Sequence, residues 1–492
     1  MVAFSQVPSN LRIPFWAVEF DSSKAQQGPA LLLYKCILIG QKLAAGTAVA
    51  DTLYKVSSVE QVIILAGRGS MLHRQALAWF AVNKSTELWI GVLADNGAGV
   101  AATGTTVVTG PATADGTIPL YLGGERITVG VSSGQASTAI ATAIGAAVNA
   151  NLDLPVTATV VGSTVTYLFR HKGLVGNTYD IRDCFRDGEA RPAGVGLTHT
   201  TLGGVIAGTS NPVLTTLIAN MADMWFHVWT HPYTDATSLT AIENELATRN
   251  GPMRQQQGFA ITSMSGSFSA HTTLGAGRNS PHSEIVSQPG PNPLTPPMEY
   301  AAETAGLMAS AAAADPARPF QTLAYKRAVA VAENDTFSPD ERNLMLFDGI
   351  STTQRTSGGG VQLESMISTY QVSPSGADDT AYLDATTMFT LMYLRYSFRV
   401  QMQNKYPRHK LANDGTQFGA GQAVITPKIG KVEAINWFRQ MEELGLVEGF
   451  DQFKRDLVCE RSKSDPNRLE WLLPPDLVNQ MIVGAVQIQF LL

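Results

Sequence analysis

The chain has 492 residues, a formal net charge of -6, 15% charged residues and 45% hydrophobic ones. That length predicts about two to four domains, and the acidic balance without clustered Lys and Arg argues against general nucleic-acid binding. No run of ~18 apolar residues, the length of a membrane span, exists, and a charged fraction below the ~25% of ordinary soluble domains fits either a large interior or surface buried between copies, the terminal strands favouring the second.

The opening MVAFSQVPSNLRIP has no basic segment followed by an apolar core, so no signal peptide is expected. Residues 1–12 read as a lead-in. Ile13–Phe20 reads as an isolated strand carrying Ile13, Phe15, Trp16, Val18 and Phe20, and the polar stretch 21–29 as a linker. Residues 1–29 form the N-terminal arm in this reading. A strand at 31–39, a short element at 62–65, a helix within 70–83 and a strand at 88–93 give β–α–β grammar and predict a parallel sheet.

The grammar stops at Asp95. Strands are expected at 105–109, 118–122 and 126–131, a small-residue helix at 138–151, and a hairpin of 156–161 with 164–169 about Gly162-Ser163. Residues 96–203 therefore read as a strand-rich domain inserted into the α/β domain, which comprises 30–95 plus 204–323. The alternation resumes with a helix at 214–224, a strand at 225–229, a helix at 238–249, a strand at 259–262, a short strand at 284–286 and an Ala-rich helix at 298–314.

Residues 324–480 read as an α+β domain. Ser338-Pro339-Asp340-Glu341 has the form of a capping box with Pro in the first turn. A strand is expected at 361–370, a long helix at 379–399, a helix after Thr426-Pro427, a hairpin of 457–462 with 468–473, and a short helical turn after Pro474-Pro475. Residues 481–492 form a final arm. Ile482, Val486, Ile488, Phe490 and Leu492 share one parity while Gln487 and Gln489 share the other, as in a half-buried strand. It has no hairpin partner, so its pairing edge is expected on another copy.

Catalytic and metal signals are weak, and no catalytic residue, metal site or cofactor is expected. Gly67-Arg68-Gly69-Ser70 lacks the spacing of a dinucleotide or phosphate loop. His227 and His231 flank a strand, where a four-residue spacing does not make a helical ligand pair. Gly208-Thr209-Ser210 resembles a subtilisin-type nucleophile turn, but no base or orienting carboxylate sits in a recognisable motif. Asp378, Asp379 and Asp384 read as acids at a helix start. Cys36, Cys184 and Cys459 are isolated and odd in number, as expected of reduced thiols. The rival reading from these residues is a hydrolase-like α/β enzyme with a binding insert.

The order of several short motifs resembles the contractile-tail sheath proteins of bacteriophages, in particular the Mu-like sheath family. Pro8-Ser9-Asn10-Leu11-Arg12-Ile13-Pro14 with Ala17-Val18-Glu19-Phe20-Asp21 is similar to that family's opening, and Leu154-Pro155-Val156 with Arg170-His171-Lys172-Gly173 to its inserted domain. The C-terminal third is similar through Phe347-Asp348-Gly349-Ile350-Ser351-Thr352, Thr426-Pro427-Lys428, Asp465-Pro466-Asn467-Arg468-Leu469 and Pro474-Pro475-Asp476-Leu477-Val478-Asn479-Gln480. Ser368-Thr369-Tyr370 departs mildly from the family's Thr-Thr-Tyr.

The resemblance implies a virion structural protein, assembled in the host bacterial cytoplasm. It implies a homo-oligomeric helical sheath of stacked hexameric rings around a tail tube, meeting baseplate and tail terminator proteins, with no direct nucleic-acid contact and no membrane insertion. Such sheaths contract to drive the tube through the host envelope, and their terminal arms add strands to a neighbour. The C-terminal domain lies nearest the tube, so Lys428, Lys431 and Arg439 are candidate tube-facing residues, while the inserted domain faces outward. A surface-layer protein, the other structural rival, would be expected to carry a secretion signal.

Overall fold

The computed structural model describes residues 31–419 and 421–491. The chain falls into two compact units: a larger one built from 33–394, 444–449 and 475–491, and a smaller one from 31–32, 395–443 and 450–474.

The larger unit is organised by a six-stranded sheet. Its first strands are β1 (Lys35–Gln41), β2 (Leu53–Val56) and β3 (Glu87–Leu93), with helices α1 (Val59–Ala66) and α2 (Met71–Val82) between β2 and β3. β1 is buried on both parities, with Cys36, Ile37, Leu38 and Ile39 each at most 1% exposed. Such continuous burial is what a parallel strand covered by helices on both faces requires.

Between Leu93 and Thr215 lie two antiparallel sheets. They are built from β4 (Ala101–Thr109), β5 (Gly116–Leu122), β6 (Glu125–Val131), helix α3 (Ser137–Ala150), β7 (Val156–Val161), β8 (Thr164–Lys172), β9 (Ile181–Asp183) and β10 (Gly196–Thr200). The strand orders are β10-β4-β8-β7 and β6-β5-β9. Their shared core holds Ile118, Leu120, Ile127, Ile140, Ile144, Val165, Tyr167 and Phe169. The hairpin expected at Gly162-Ser163 is present, with Val161 opposite Thr164 and Gly162 at φ 61, the left-handed value that a two-residue turn demands.

The chain then returns to the first sheet through α4 (Thr215–Asn220), β11 (Val228–Thr230), α5 (Ala236–Asn250), β12 (Phe259–Met264), α6 (Phe268–Ala276), β13 (Ser283–Ser287) and α7 (Pro297–Ala314). The final order is β13-β12-β11-β1-β3-β2, with every neighbouring pair parallel except β2–β3. Helices α4 and α5 close one face, where Leu217, Ile242 and Leu246 meet Ile37, Ile39 and Trp229. Helices α2 and α7 pack on each other over the opposite face, and α7 lies against β11 and β12. Their close approach is set at Gly306, where a Cβ would stand 2.8 Å from Val82 Cγ2.

A buried ion-pair network ties these elements together. Arg74 of α2 donates to Glu299 of α7 at 2.7 and 3.0 Å and to Glu125 of β6 at 2.8 Å. Arg327 also donates to Glu125, at 2.8 Å. Burial disfavours the Arg74 charge, but the carboxylates around it, Glu299 foremost, outweigh that and hold its pKa above the ordinary value.

Next come α8 (Pro339–Phe347), the hairpin β14 (Thr352–Arg355) with β15 (Val361–Ser365), and α9 (Ala385–Lys405). α8 has the expected capping box, Ser338 accepting from the Glu341 amide while the Glu341 carboxylate accepts from the Ser338 amide. The hairpin joins β13 through Ser351, whose amide donates to the Ile285 carbonyl at 3.0 Å.

The smaller unit begins with the part of α9 from Arg395. It continues with β16 (Lys410–Leu411), which pairs in parallel with β17 (Val424–Ile425), then α10 (Pro427–Glu443). After β18 (Val447–Glu448) of the larger unit come α11 (Phe450–Asp456) and the hairpin β19 (Val458–Arg461) with β20 (Leu469–Leu472). Trp437 donates its indole N–H to Ser397 at 3.0 Å, and Phe438 stacks on Phe453 at 4.1 Å. Glu433 on α10 collects Lys405 at 2.7 Å and Tyr406 at 2.8 Å. The hairpin rests against α10 at Gly430, where a Cβ would stand 2.8 Å from Cys459 Sγ.

Several expectations need correction. The long helix starts at Ala385, not 379, so Asp378 and Asp379 precede it. Asp379 accepts from the Tyr370 hydroxyl at 2.6 Å and from the Ala381 amide at 2.9 Å, which commits this stretch to a turn. The residues after Pro475 form a strand, β21 (Asp476–Leu477), antiparallel to β18, instead of a helical turn. The strand expected over 225–229 is confined to Val228–Thr230, and β2 and α6 were not anticipated. Residues 481–491 pair with no strand among the described residues, as a segment expected to pair with another copy would in a single chain.

Candidate assembly surface

The His171–Asp95 couple and Asp235, which resemble parts of a catalytic set, are committed to structural contacts. Asp95 lies 3.0 Å from His171 Nδ1, the pairing of a charge-relay couple. The other ring nitrogen, Nε2, accepts the Met71 amide at the start of α2 at 3.0 Å, so no free base faces a nucleophile. Ser210 has φ 61 and lines a cavity of about 280 Å³ with Asn211 and Asp235. Asp235 is spent there as the cap of α5, accepting from Ser238 N at 3.0 Å and from Asn211 Nδ2 at 2.5 Å, and no histidine lines the cavity. His227 Nδ1 accepts from the Lys35 amide at 3.0 Å. Burial pushes His227 down to about 3 and His231 to about 4, leaving both neutral in the sheet interior. Among the described residues no three His, Cys, Asp or Glu side chains stand together as a metal site.

The unusual surface is at the C-terminal end of the described chain. Its root is fixed: Asp476 and Leu477 pair with Glu448 and Val447, and the Val478 amide donates to the Leu446 carbonyl at 3.3 Å. The Gln480 side-chain amide reaches Thr386 Oγ1 in the first turn of α9. Beyond Gln480 the chain is bare. Ile482 is 54% exposed, Val486 85%, Ile488 82% and Phe490 77%. Large exposed apolar patches are uncommon on monomeric proteins and are typical of interaction sites, which makes this segment the candidate assembly surface. Residues 481–491 pair with no strand among the described residues, so the parity pattern seen in the sequence has no paired counterpart within the described chain. Ile13, Phe15, Trp16, Val18, Phe20 and Leu492 lie outside the described residues.

In the smaller unit, the hairpin β19–β20 has α10 on one face and no partner strand along either outer edge among the described residues. Val458 and Leu472 are 44% and 61% exposed on it. On α10 the side chains of Lys428 and Arg439 are exposed and Lys431 is half-buried. They are not equivalent. Arg439 pairs with Glu442 at 2.7 Å and lies 3.2 Å over the Phe450 ring, so its charge is already engaged. Across 395–443 and 450–474 there are 13 Lys and Arg against 9 Asp and Glu, in a chain with 35 against 41. The smaller unit is thus cationic within an acidic protein.

Sequence reasoning found the terminal segment through its apolar parity but missed what holds its root. Gln480 reads as one more polar residue, and Thr386 lies 94 positions away in sequence.

Comparison with known proteins gives a consistent picture. Residues 207–369 match the phage tail sheath protein central domain, and residues 377–490 the phage tail sheath C-terminal domain. The chain is 37% identical over 492 residues, covering all of both proteins, to the Mu-like prophage FluMu tail sheath protein of Haemophilus influenzae. Among solved structures it is similar to the sheath tail protein of Desulfitobacterium hafniense (12% identity, 94% of this chain and 100% of that one, TM-score 0.48). It is also similar to the sheath tail protein of Listeria innocua (13% identity, 92% and 94%, TM-score 0.49).

Proposed function

The chain belongs to the phage tail sheath family, and from that premise we propose that its copies polymerise as a helical sleeve around a tail tube and contract to drive that tube through a host envelope. Family membership gives it a structural role in a virion tail. The finer reading is that neighbours are linked by strands exchanged at their termini. The observation that carries it is the terminal segment: eleven residues, 481–491, leave an anchored root with their apolar side chains in solvent. Added to an open edge, such a strand gains backbone hydrogen bonds, and its alternating side chains fix the register. The outer edges of β19–β20 are the acceptor we favour, with Ile13–Phe20 as the second exchanged strand.

In this proposal residues 324–480 face the tube, 30–95 with 204–323 form the middle of the sleeve wall, and 96–203 face outward. Lys428 and Lys431 meet an acidic tube surface, and the surplus of positive charge in the smaller unit supports that polarity. Arg439 contributes less, being already paired. Baseplate and terminator proteins meet the two ends of the sleeve. The hydrolase-like reading is the weaker one, since the His171–Asp95 couple spends its second ring nitrogen on the Met71 amide.

The deciding experiment is removal of Met481–Leu492 from the full chain, followed by electron microscopy. Wild-type protein is expected to form hollow striated sleeves and the truncated chain dispersed subunits. Normal sleeves from truncated protein would overturn terminal linkage. Charge reversal at Lys428 and Lys431 is expected to leave sleeves intact and abolish co-assembly with tube protein; unimpaired co-assembly would rule out the tube-facing assignment.

A further inference from the structure

The terminal segment passes from fully anchored to fully free within one residue. Asp476 and Leu477 are held by the β21–β18 pairing and Val478 by the Leu446 carbonyl. The last hold is Gln480, whose side-chain amide donates to Thr386 Oγ1. The same side chain reaches Asp384, where it favours the charged carboxylate against the upward push of burial. Thr386 is 3% exposed and sits at the start of α9, a 21-residue helix, so the point of attachment is rigid. Among the described residues, none of 481–491 makes a hydrogen bond.

We propose that Gln480 is the positioning residue of this linkage, a clamp that fixes where the terminal segment leaves its own subunit and hence how far away the neighbour must stand. The proposal rests on the sheath reading. Side-chain alternation sets the register of a strand in the edge that receives it, but it does not set the distance between the two bodies. That distance is the free length between root and docked strand. With the root clamped, the free chain begins at Met481. If Gln480 lets go and β21 peels from its two-residue pairing, release can run back to Pro474-Pro475, adding five residues, or ~17 Å of slack at ~3.3–3.6 Å each. A sleeve built on slack links would tolerate a range of subunit spacings; one built on clamped links would hold a single spacing.

The pairing β18–β21 alone is too short to do this, because it spans two residues on each strand. The side-chain bond from Gln480 to a residue of a long helix supplies the stop. The arrangement also explains why an amide is used there. A carboxylate at this position would face Asp384, and an apolar side chain would leave the buried Thr386 hydroxyl without its partner.

The test uses the full chain with Gln480→Met, which keeps the side chain's length without the amide, and Thr386→Val, which keeps the shape without the hydroxyl. Hydrogen exchange at the Val478 amide is expected to quicken about five- to tenfold in Gln480→Met and by less in Thr386→Val, where Gln480 keeps Asp384, and the double variant is expected to exchange no faster than Gln480→Met. The body is expected to stay folded, its melting temperature lowered by only a few degrees by the loss of the Thr386 bond, and the sleeves in electron micrographs to show a broader spread of axial spacing. Unchanged exchange in Gln480→Met overturns the clamp. Faster exchange with sleeves as regular as wild type overturns its positioning role. The chain truncated after Gln480 separates this from the parent reading: normal sleeves from it refute terminal linkage, whatever exchange at Val478 shows.

Discussion

Glu284 offers a sharp test of the fold's electrostatics. It lies on β13 with its side chain fully buried, one carboxyl oxygen 2.7 Å from Ser351 Oγ and the other without a partner among the described residues. Ser351 Oγ also lies 3.0 Å from the Ile367 carbonyl and accepts the Ile367 amide at 2.9 Å. A hydroxyl has one proton and cannot serve two acceptors. A protonated Glu284 resolves the conflict by donating to Ser351, which then donates to Ile367. Burial works the same way, pushing the carboxyl from 4.5 to about 8, with the Ser351 contact a smaller opposing influence. Because the folded pKa is the raised one, the stabilisation is complete below pH 4.5 and is lost as pH climbs from there toward about 8. At ~1.4 kcal/mol per unit, the loss between pH 5 and 7.5 is on the order of 3 kcal/mol. Glu284→Gln has no such proton to lose. Urea titrations at both pH values, with native-state hydrogen exchange at β13, are expected to show the variant gaining on wild type by that amount as pH rises. Any constant cost of the extra amide hydrogen cancels in the difference. Parallel pH profiles would refute the assignment of a neutral buried carboxyl.

Three further outcomes follow from geometry. Arg74→Met takes from Glu299, 3% exposed, its two close hydrogen bonds and leaves it only the longer ion pair to Arg327 at 3.8 Å, and is expected to cost about 3 kcal/mol in calorimetry, more than a surface charge removal. Gly430→Ala drives a methyl toward Cys459 Sγ and is expected to cost about 1–3 kcal/mol; Gly430→Ala with Cys459→Ala should recover most of it in thermal melts. His171→Phe removes the acceptor of the Met71 amide and the partner of Asp95, so a stability loss of about 1–3 kcal/mol is expected by urea unfolding.

Elements whose packing follows a single period were readable from sequence. The hairpin at Gly162-Ser163, the capping box at Ser338 and the β19–β20 hairpin each carry their instruction locally, in a turn residue or a cap. β2 was missed because Leu53-Tyr54-Lys55-Val56 is four residues long and gains its place only by pairing with β3. The start of α9 was set too early because Asp379 resembles a helix-start acid, whereas the competing bond from Tyr370 decides its conformation. The ion pairs of Arg74 with Glu299 and Glu125 bring together residues 225 and 51 positions apart. No local pattern announces them, since each residue reads alone as a polar position on a helix or at a turn.

The terminal segment shows most clearly what the structure adds to a sequence pattern. Period two suggested one apolar face along its whole length, yet Met481 at 78% and Val483 at 82% exposure lie on the opposite parity from Ile482 and Val486. The segment therefore has two halves. From Met481 to Val486 it is apolar on both faces, interrupted only by Gly484; from Gln487 to Phe490 it alternates, with glutamines on one side. A strand apolar on both faces is stable only where both are covered, whereas an alternating one suits a sheet with one face in water. In the proposed strand exchange, the half nearest Gln480 would enter between layers, and the distal half would lie on a sheet surface. Charge placed at Val483 should therefore weaken assembly as much as charge placed at Ile482, while charge at Gln487 should be tolerated and charge at Ile488 should not. Sedimentation of the four glutamate variants measures this directly, and equal tolerance at Val483 and Gln487 would return the whole segment to a one-faced strand.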